Sequence, residues 1–370
     1  MAMRLSRMKR QAGFTLVEFM IAMGITGVAL AATMLAFRDA TQVNQNVSLS
    51  EDMTDNMRAG LNMMEQDLIQ TATGIPTGGI SLPAKAATAA CTSGITAVNR
   101  PSLNGAITFP VCNISLPAIE PGFNLGPNTT DEVTMLYQDN SLALNTYPIF
   151  LATGNGAPGT NGGCAGSIAL SGASATFDPK CVVSPSPSGA TINAGDLLMF
   201  SNANGNALVM VTSVSWPTVF FAANDPFKLN LTGDPCGTLL QMQSGNACPS
   251  TNQGTSYPPT TVTRVTMISY YLDNVSFPNH VELIRRINFN TGQTVGDTLQ
   301  TLHFTYNFSD GVAVNETTVP ANYSENQIRS VNVYLGAQSD STSQKSGKFM
   351  QSSVQTQVSL RSMTFFNQYP

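Results

Sequence analysis

At 370 residues the chain is long enough for one large domain or two small ones. Only 11% of its residues are charged, a composition unlike that of a cytosolic enzyme and in keeping with an exported, β-rich protein with long loops. The net charge is −5 with no basic patch, which excludes nucleic acid as a partner.

The first element is a basic head followed by a long apolar run. Arg4, Arg7, Lys9 and Arg10 precede it, and no acid does. Residues 14–37 are apolar or small except for Glu18 and three threonines, Thr15, Thr26 and Thr33. As a helix at ~1.5 Å per residue this run reaches roughly 36 Å, enough to cross a hydrocarbon core of ~30 Å. The cations on its N-terminal side keep that end cytoplasmic, so everything beyond residue 37 lies outside the cytoplasm. A carboxylate at position 18 is costly in a membrane and needs a polar partner. None is expected within the same segment. A chain cut between Gly13 and Phe14 would carry a new ammonium at Phe14, four residues from Glu18, and that group is the expected counter-charge. Loss of the four cations would leave the mature chain at −5 − 4 = −9.

The run Lys9-Arg10-Gln11-Ala12-Gly13-Phe14-Thr15-Leu16-Val17-Glu18 resembles the class III signal of type IV prepilins and type II secretion pseudopilins. The resemblance implies that a membrane-bound prepilin peptidase cuts after Gly13 and methylates Phe14, and that Glu18 is the assembly carboxylate. It implies a leader at 1–13, an assembly helix at 14–37, and storage in the bacterial inner membrane as a single-pass protein. From there the protein would pass to a pilus on the cell surface.

From residue 38 the helix is expected to continue to about Thr73, as 38–74 with its terminus. Val43, Val47, Met53, Met57, Leu61, Met64 and Leu68 form one stripe at helical spacing, and Asp52, Asp55 and Arg58 point elsewhere. The methionines of this stripe read as core packing and not as a metal or cofactor box. No proline interrupts the helix before Ile75, and Gly74 and Pro76 stop it. Ser48-Leu49-Ser50-Glu51 matches a capping box and offers an alternative in which the helix breaks and restarts.

The rest, 75–370, reads as a β-rich domain. Residues 75–130 look like a partly irregular connection. Strands are expected at 132–137 and 147–152, then a loop at 154–187. Within that loop Gly154-Asn155-Gly156-Ala157-Pro158-Gly159 matches G-x-G-x-x-G, but no helix follows to hold a pyrophosphate. Residues 196–200 and 207–212 flank Asn204-Gly205 as a hairpin. Further strands are expected at 262–272, 281–289, 299–308, 327–335 and 353–365. Arg285-Arg286 in one of them reads as a solvated face, with one guanidinium free to reach an acid.

Six cysteines lie outside the cytoplasm, where disulfides form. They allow 15 pairings. Their spacing gives local couples 21, 17 and 12 residues apart, which favours Cys91–Cys112, Cys164–Cys181 and Cys236–Cys248. No C-x-x-C is present and the only histidines, His280 and His303, are distant in sequence, so no zinc site is expected. H-E-x-x-H, G-x-S-x-G, P-loop and EF-hand patterns are absent as well. The expectation is a protein that is not an enzyme and holds no cofactor and no metal.

The C-terminal third resembles the PilW group of minor pilins, through Leu283-Ile284-Arg285-Arg286, Ile328-Arg329-Ser330-Val331-Asn332-Val333 and Val358-Ser359-Leu360-Arg361-Ser362-Met363. GspJ-type minor pseudopilins of type II secretion share this layout and are the alternative. The expected fold is therefore α+β and pilin-like, a long helix on an antiparallel sheet. The resemblance implies a minor subunit in a tip complex that primes pilus assembly. Its partners would be other minor pilins, the major pilin, the prepilin peptidase, the inner-membrane assembly platform and a large tip adhesin.

Overall fold

A computed structural model describes residues 15–82, 98–109, 115–139, 168–170, 172–177, 191–231, 237–245, 257–258, 260–276, 281–308, 313–314, 319, 323–343 and 346–364. Gly13, Phe14, all six cysteines, the strand expected at 147–152, the 154–159 loop and His280 lie outside these residues.

The fold is α+β. Helix α1 (Leu16–Gln70) opens the chain and has no break at 48–51. Strands β1 (Ile80–Ser81), β2 (Asn99–Ser102), β3 (Gly105–Thr108), β4 (Ser115–Leu116), β5 (Ile119–Gly122) and β6 (Glu132–Asp139) follow. Next are β7 (Ile168–Leu170), β8 (Ser174–Phe177), β9 (Leu197–Asn202), β10 (Gly205–Met210), β11 (Ser213–Ser215) and β12 (Thr218–Phe220). The last third holds β13 (Thr261–Asp273), β14 (Glu282–Ile287), β15 (Gln293–Gly296), β16 (Leu299–Phe308), β17 (Ala313–Val314), β18 (Ile328–Thr342) and β19 (Phe349–Ser359). It ends on the short helix α2 (Arg361–Thr364).

By its contacts the chain forms two units. One comprises Met1–Asp52 with Ser339–Met350. In it the tip of the β18–β19 hairpin is closed by Ser343 N–H to Lys348 O (2.9 Å) and Gly347 N–H to Ser343 O (2.8 Å), with Gly347 at φ 65. The return strand therefore starts at Phe349 and not at 353, and the chain past Leu360 turns helical where strand was expected.

The other unit comprises Met53–Gln338 and Gln351–Pro370. Its centre is β13, a 13-residue strand paired antiparallel with β6, β9 and β14. The sheet runs β10-β9-β13-β14-β15, with β6 on β13 and β5 on β6. A second sheet runs β17-β16-β18-β19. Met53, Met57, Leu61, Met64 and Leu68 of α1 are all buried, as their periodicity predicts. Val43 and Val47, earlier in the same stripe, are exposed. Gly60 lets the helix approach β14, because a Cβ there would stand 2.8 Å from Leu283 Cδ2.

The helix ends at Gln70, three residues earlier than expected, because the backbone beyond it joins β6. Ala72 N–H donates to Leu136 O (2.9 Å) and Gln138 N–H to Thr73 O (2.8 Å). Gly74 takes φ 70 against Gln138, where any Cβ would collide. The β9–β10 turn is Ala203-Asn204, since Gly205 already pairs with Asn202, one residue before the turn that the Asn-Gly signal suggests. Leu198, Phe200, Val209, Val219, Phe221 and Leu239 build a separate apolar cluster around this hairpin.

The described residues between 75 and 130 form more than a connection. β5 extends the central sheet, and Arg100 of β2 is 3% exposed. Its Nη1 donates to Glu120 O (3.0 Å) and Thr134 Oγ1 (3.3 Å), and its Nη2 to Pro121 O (3.0 Å). Glu132 Oε1 accepts from Ser102 Oγ at 3.0 Å. Burial, opposed by the nearby Arg100 charge and aided by Glu325, pushes the Glu120 carboxyl up to about 8 from its usual 4.5. The folded chain thus holds a proton that the unfolded chain releases near pH 4.5. The associated stability is complete below that pH and is lost as pH rises through about 8. Denaturant unfolding of the full chain at pH 5 and pH 9 should show a loss of a few kcal/mol at the higher pH. Glu120→Gln, which cannot ionise, should remove most of that loss; an unchanged difference between the two pH values would rule Glu120 out as its source.

Candidate functional site: the head of the long helix and its seat

Thr15 and Glu18 form a reciprocal cap at the start of α1. Thr15 donates to Glu18 Oε2 from both its backbone N–H and its Oγ1, each at 3.0 Å, and Glu18 N–H donates to Thr15 Oγ1 at 3.3 Å. This is the S/T-x-x-E capping box, carried by Thr15-Leu16-Val17-Glu18. The expectation that Glu18 lacks a polar partner within its own segment is therefore incorrect. The signal lies in the sequence, four residues wide; the same pattern at Ser48–Glu51 marks no break, because α1 continues through it.

Beyond the cap the helix exposes apolar surface. Leu16, Phe19, Ile21, Leu30 and Phe37 are each more than half exposed, Phe37 at 79%. The threonines are satisfied by their own helix: Thr26 Oγ1 donates to Ala22 O (2.7 Å) and Thr33 Oγ1 to Leu30 O (2.9 Å). Such i→i−3 and i→i−4 bonds leave no hydroxyl unpaired in hydrocarbon. Among the described residues this is one helix long and apolar enough to cross a membrane.

The far end of α1 is seated by a buried ion pair. Arg285 Nε and Nη2 donate to Asp67 Oδ2 (2.7 Å) and Oδ1 (3.0 Å), a bidentate pair whose side chains are 14% and 6% exposed. Tyr270 Oη adds a bond to Asp67 Oδ2 at 2.6 Å, and Tyr137 Oη one to Oδ1 at 3.5 Å. Burial opposes the Arg285 charge, but the bonds and charge of Asp67 outweigh it and hold the guanidinium above its usual pKa. Burial first, then the Asp67 charge, pushes the Tyr137 hydroxyl up to about 12 and Tyr270 higher still. Glu65, one turn-face away, accepts from Thr356 Oγ1 of β19 at 2.8 Å. Of the Arg285-Arg286 pair, Arg285 thus lies inward on an acid. Arg286 donates from Nε to Asn290 O at 2.9 Å. Sequence reading missed Asp67, whose position beside Leu68 on the stripe was the available signal.

His303 of β16 faces Asp131, with Nδ1 3.2 Å from Oδ2, and Phe304 N–H donates to the same oxygen at 3.0 Å. This arrangement ties β16 to the turn before β6. Among the described residues no three His, Cys, Asp or Glu side chains converge as metal ligands would.

The prokaryotic N-terminal methylation motif matches residues 8–34. No curated protein and no solved structure matches the chain. The matched segment contains the Thr15–Glu18 cap and most of the exposed apolar run. Motif and helix together support a type IV pilin- or pseudopilin-like protein: they fit membrane anchoring, and the motif implies processing by a prepilin peptidase and assembly with other pilins.

Proposed function

We propose that the chain is a minor pilin of the PilW kind, cut between Gly13 and Phe14, methylated at Phe14, and placed in a tip complex that primes a type IV pilus. The observation that carries this reading is the methylation motif on a helix that is apolar and exposed at one end and seated by Asp67 on a large sheet body at the other. The body supports a minor role. In a packed shaft every subunit is flanked above and below, whereas a subunit at the end has one open side, so a large body with long loops is tolerated best there. No proline interrupts α1, whereas many major pilins carry one that permits local melting in the shaft.

The test of the tip role is deletion. Loss of the protein should sharply reduce the number of pili with major pilin levels intact. A normal pilus count with impaired type II secretion would instead assign the chain to a GspJ-like pseudopilus.

Processing has its own test. The peptidase site that accepts Gly13 must admit a residue with almost no side chain, so Gly13→Leu should leave the leader attached. Mass spectrometry of the purified variant should find the unprocessed chain; a mature wild-type N-terminus other than Phe14 would refute the assignment.

The cysteine pairs remain part of the proposal. Cys91–Cys112, Cys164–Cys181 and Cys236–Cys248 would each stabilise by roughly 3 kcal/mol through loop closure. Non-reducing peptide mapping should recover these three links; free thiols or links between couples would defeat the pairing.

A further inference from the structure

The sheet β17-β16-β18-β19 carries a groove away from the head of α1 in sequence, lined by residues of β16, β18 and β19. It begins with a bulge. Leu299 pairs with Ala337 and Thr301 with Gly336, so Gln300 is an extra residue in β16. Bulges of this kind bend a strand and redirect a side chain. Here Gln300 and Thr301 both line a cavity of about 230 Å³. Opposite them the strand is thin: a Cβ on Gly336 would stand 3.1 Å from Thr301 Cβ, a tight contact, so glycine keeps the floor open. Tyr334 of β18 lines one side with 39% of its surface exposed, and Gln338 and Gln351 line the others.

The chemistry of this lining is specific in two respects. No residue in it is charged. The side chains of Gln300, Thr301, Gln338 and Gln351 also make no hydrogen bond among the described residues. Each amide offers donors and an acceptor, and each hydroxyl offers both. A ligand matched to such a set presents many groups that donate and accept, carries no charge, and has an apolar face to lie against an aromatic ring. That is the description of a neutral sugar. The cavity is smaller than the ~300–1,000 Å³ typical of pockets for drug-sized ligands, so it suits one ring of a longer chain.

We propose that the groove at the Gln300 bulge binds an uncharged oligosaccharide, with one ring on Tyr334 and its hydroxyls shared among Gln300, Gln338 and Gln351. The inference is independent of whether the chain joins a pilus or a pseudopilus.

Saturation-transfer NMR of the full chain in a sugar-free zwitterionic detergent tests it, with maltohexaose, cellohexaose, chitohexaose and mannohexaose as probes. At least one probe should receive saturation on its ring protons. Tyr334→Ala and Gln351→Ala should each lower the transfer at least fivefold, while Gln355→Ala, exposed on the same strand but outside the groove, should leave it unchanged. No transfer to any of the four probes would overturn the proposal, and so would transfer equal in wild type and in both groove variants.

Discussion

Replacing Asp67 by alanine is expected to destabilise the sheet body by about 3–5 kcal/mol, the usual effect of removing one member of a buried ion pair. The variant leaves the Arg285 guanidinium, 14% exposed, with no carboxylate, and removes the acceptor of the 2.6 Å Tyr270 bond. Uncompensated charge, not lost attraction, dominates the effect. It follows that Asp67→Leu combined with Arg285→Met should be far milder than Asp67→Ala alone, since apolar replacement of both partners is often nearly neutral. Denaturant unfolding of the full chain, followed by near-UV circular dichroism, compares the two directly. A single-variant loss below about 1 kcal/mol, as for an exposed pair, would contradict the seat described for α1.

The second large effect concerns Glu18. Its Oε2 takes both bonds from Thr15. We propose that the carboxylate also meets the Phe14 ammonium freed by cleavage, on a neighbouring copy or on this chain, and that this contact helps a subunit dock beside its neighbour. Glu18→Ala removes both interactions. The local cap is worth about 1 kcal/mol and lies at one end of a long helix, so the sheet body should fold as before. Membrane insertion should be unharmed, because a charge leaves the apolar span. Incorporation into filaments should fall to a small fraction of wild type, measured by immunoblotting sheared filaments against the membrane pool. The capping box divides the effect further. Thr15→Ala removes the hydroxyl bond and keeps the carboxylate, so its incorporation should stay well above that of Glu18→Ala. Equal loss in the two variants would make Glu18 a helix cap and not an assembly group.

The long helix was legible because its signals are local. Apolar runs, spacing at 3.6 residues and the absence of proline needed no knowledge of the rest of the chain, and Met53 to Leu68 are buried as that spacing requires. Strands β13 and β16 of the C-terminal third were legible for the same reason. What escaped was set by distant partners. Asp67 and Arg285 are 218 positions apart, and each alone looks like a surface charge. The early helix end depends on backbone bonds to Leu136 and Gln138, which no local pattern encodes. Arg100 sits in a stretch of low apolar content that reads as linker, yet it is buried because the carbonyls of Glu120 and Pro121 await it. The cap at Glu18 differs: its motif is local and complete, and an uncharged hydrogen-bond donor three residues away, not only a counter-charge, satisfies the carboxylate.

The central claim is that this chain enters a pilus as a processed minor subunit, and quantitative mass spectrometry of sheared, purified pili tests it most directly. The account predicts a chain beginning at N-methylated Phe14, present far below the major pilin. A chain absent from the filaments, or retaining residues 1–13 within them, or matching the major pilin in abundance would contradict it.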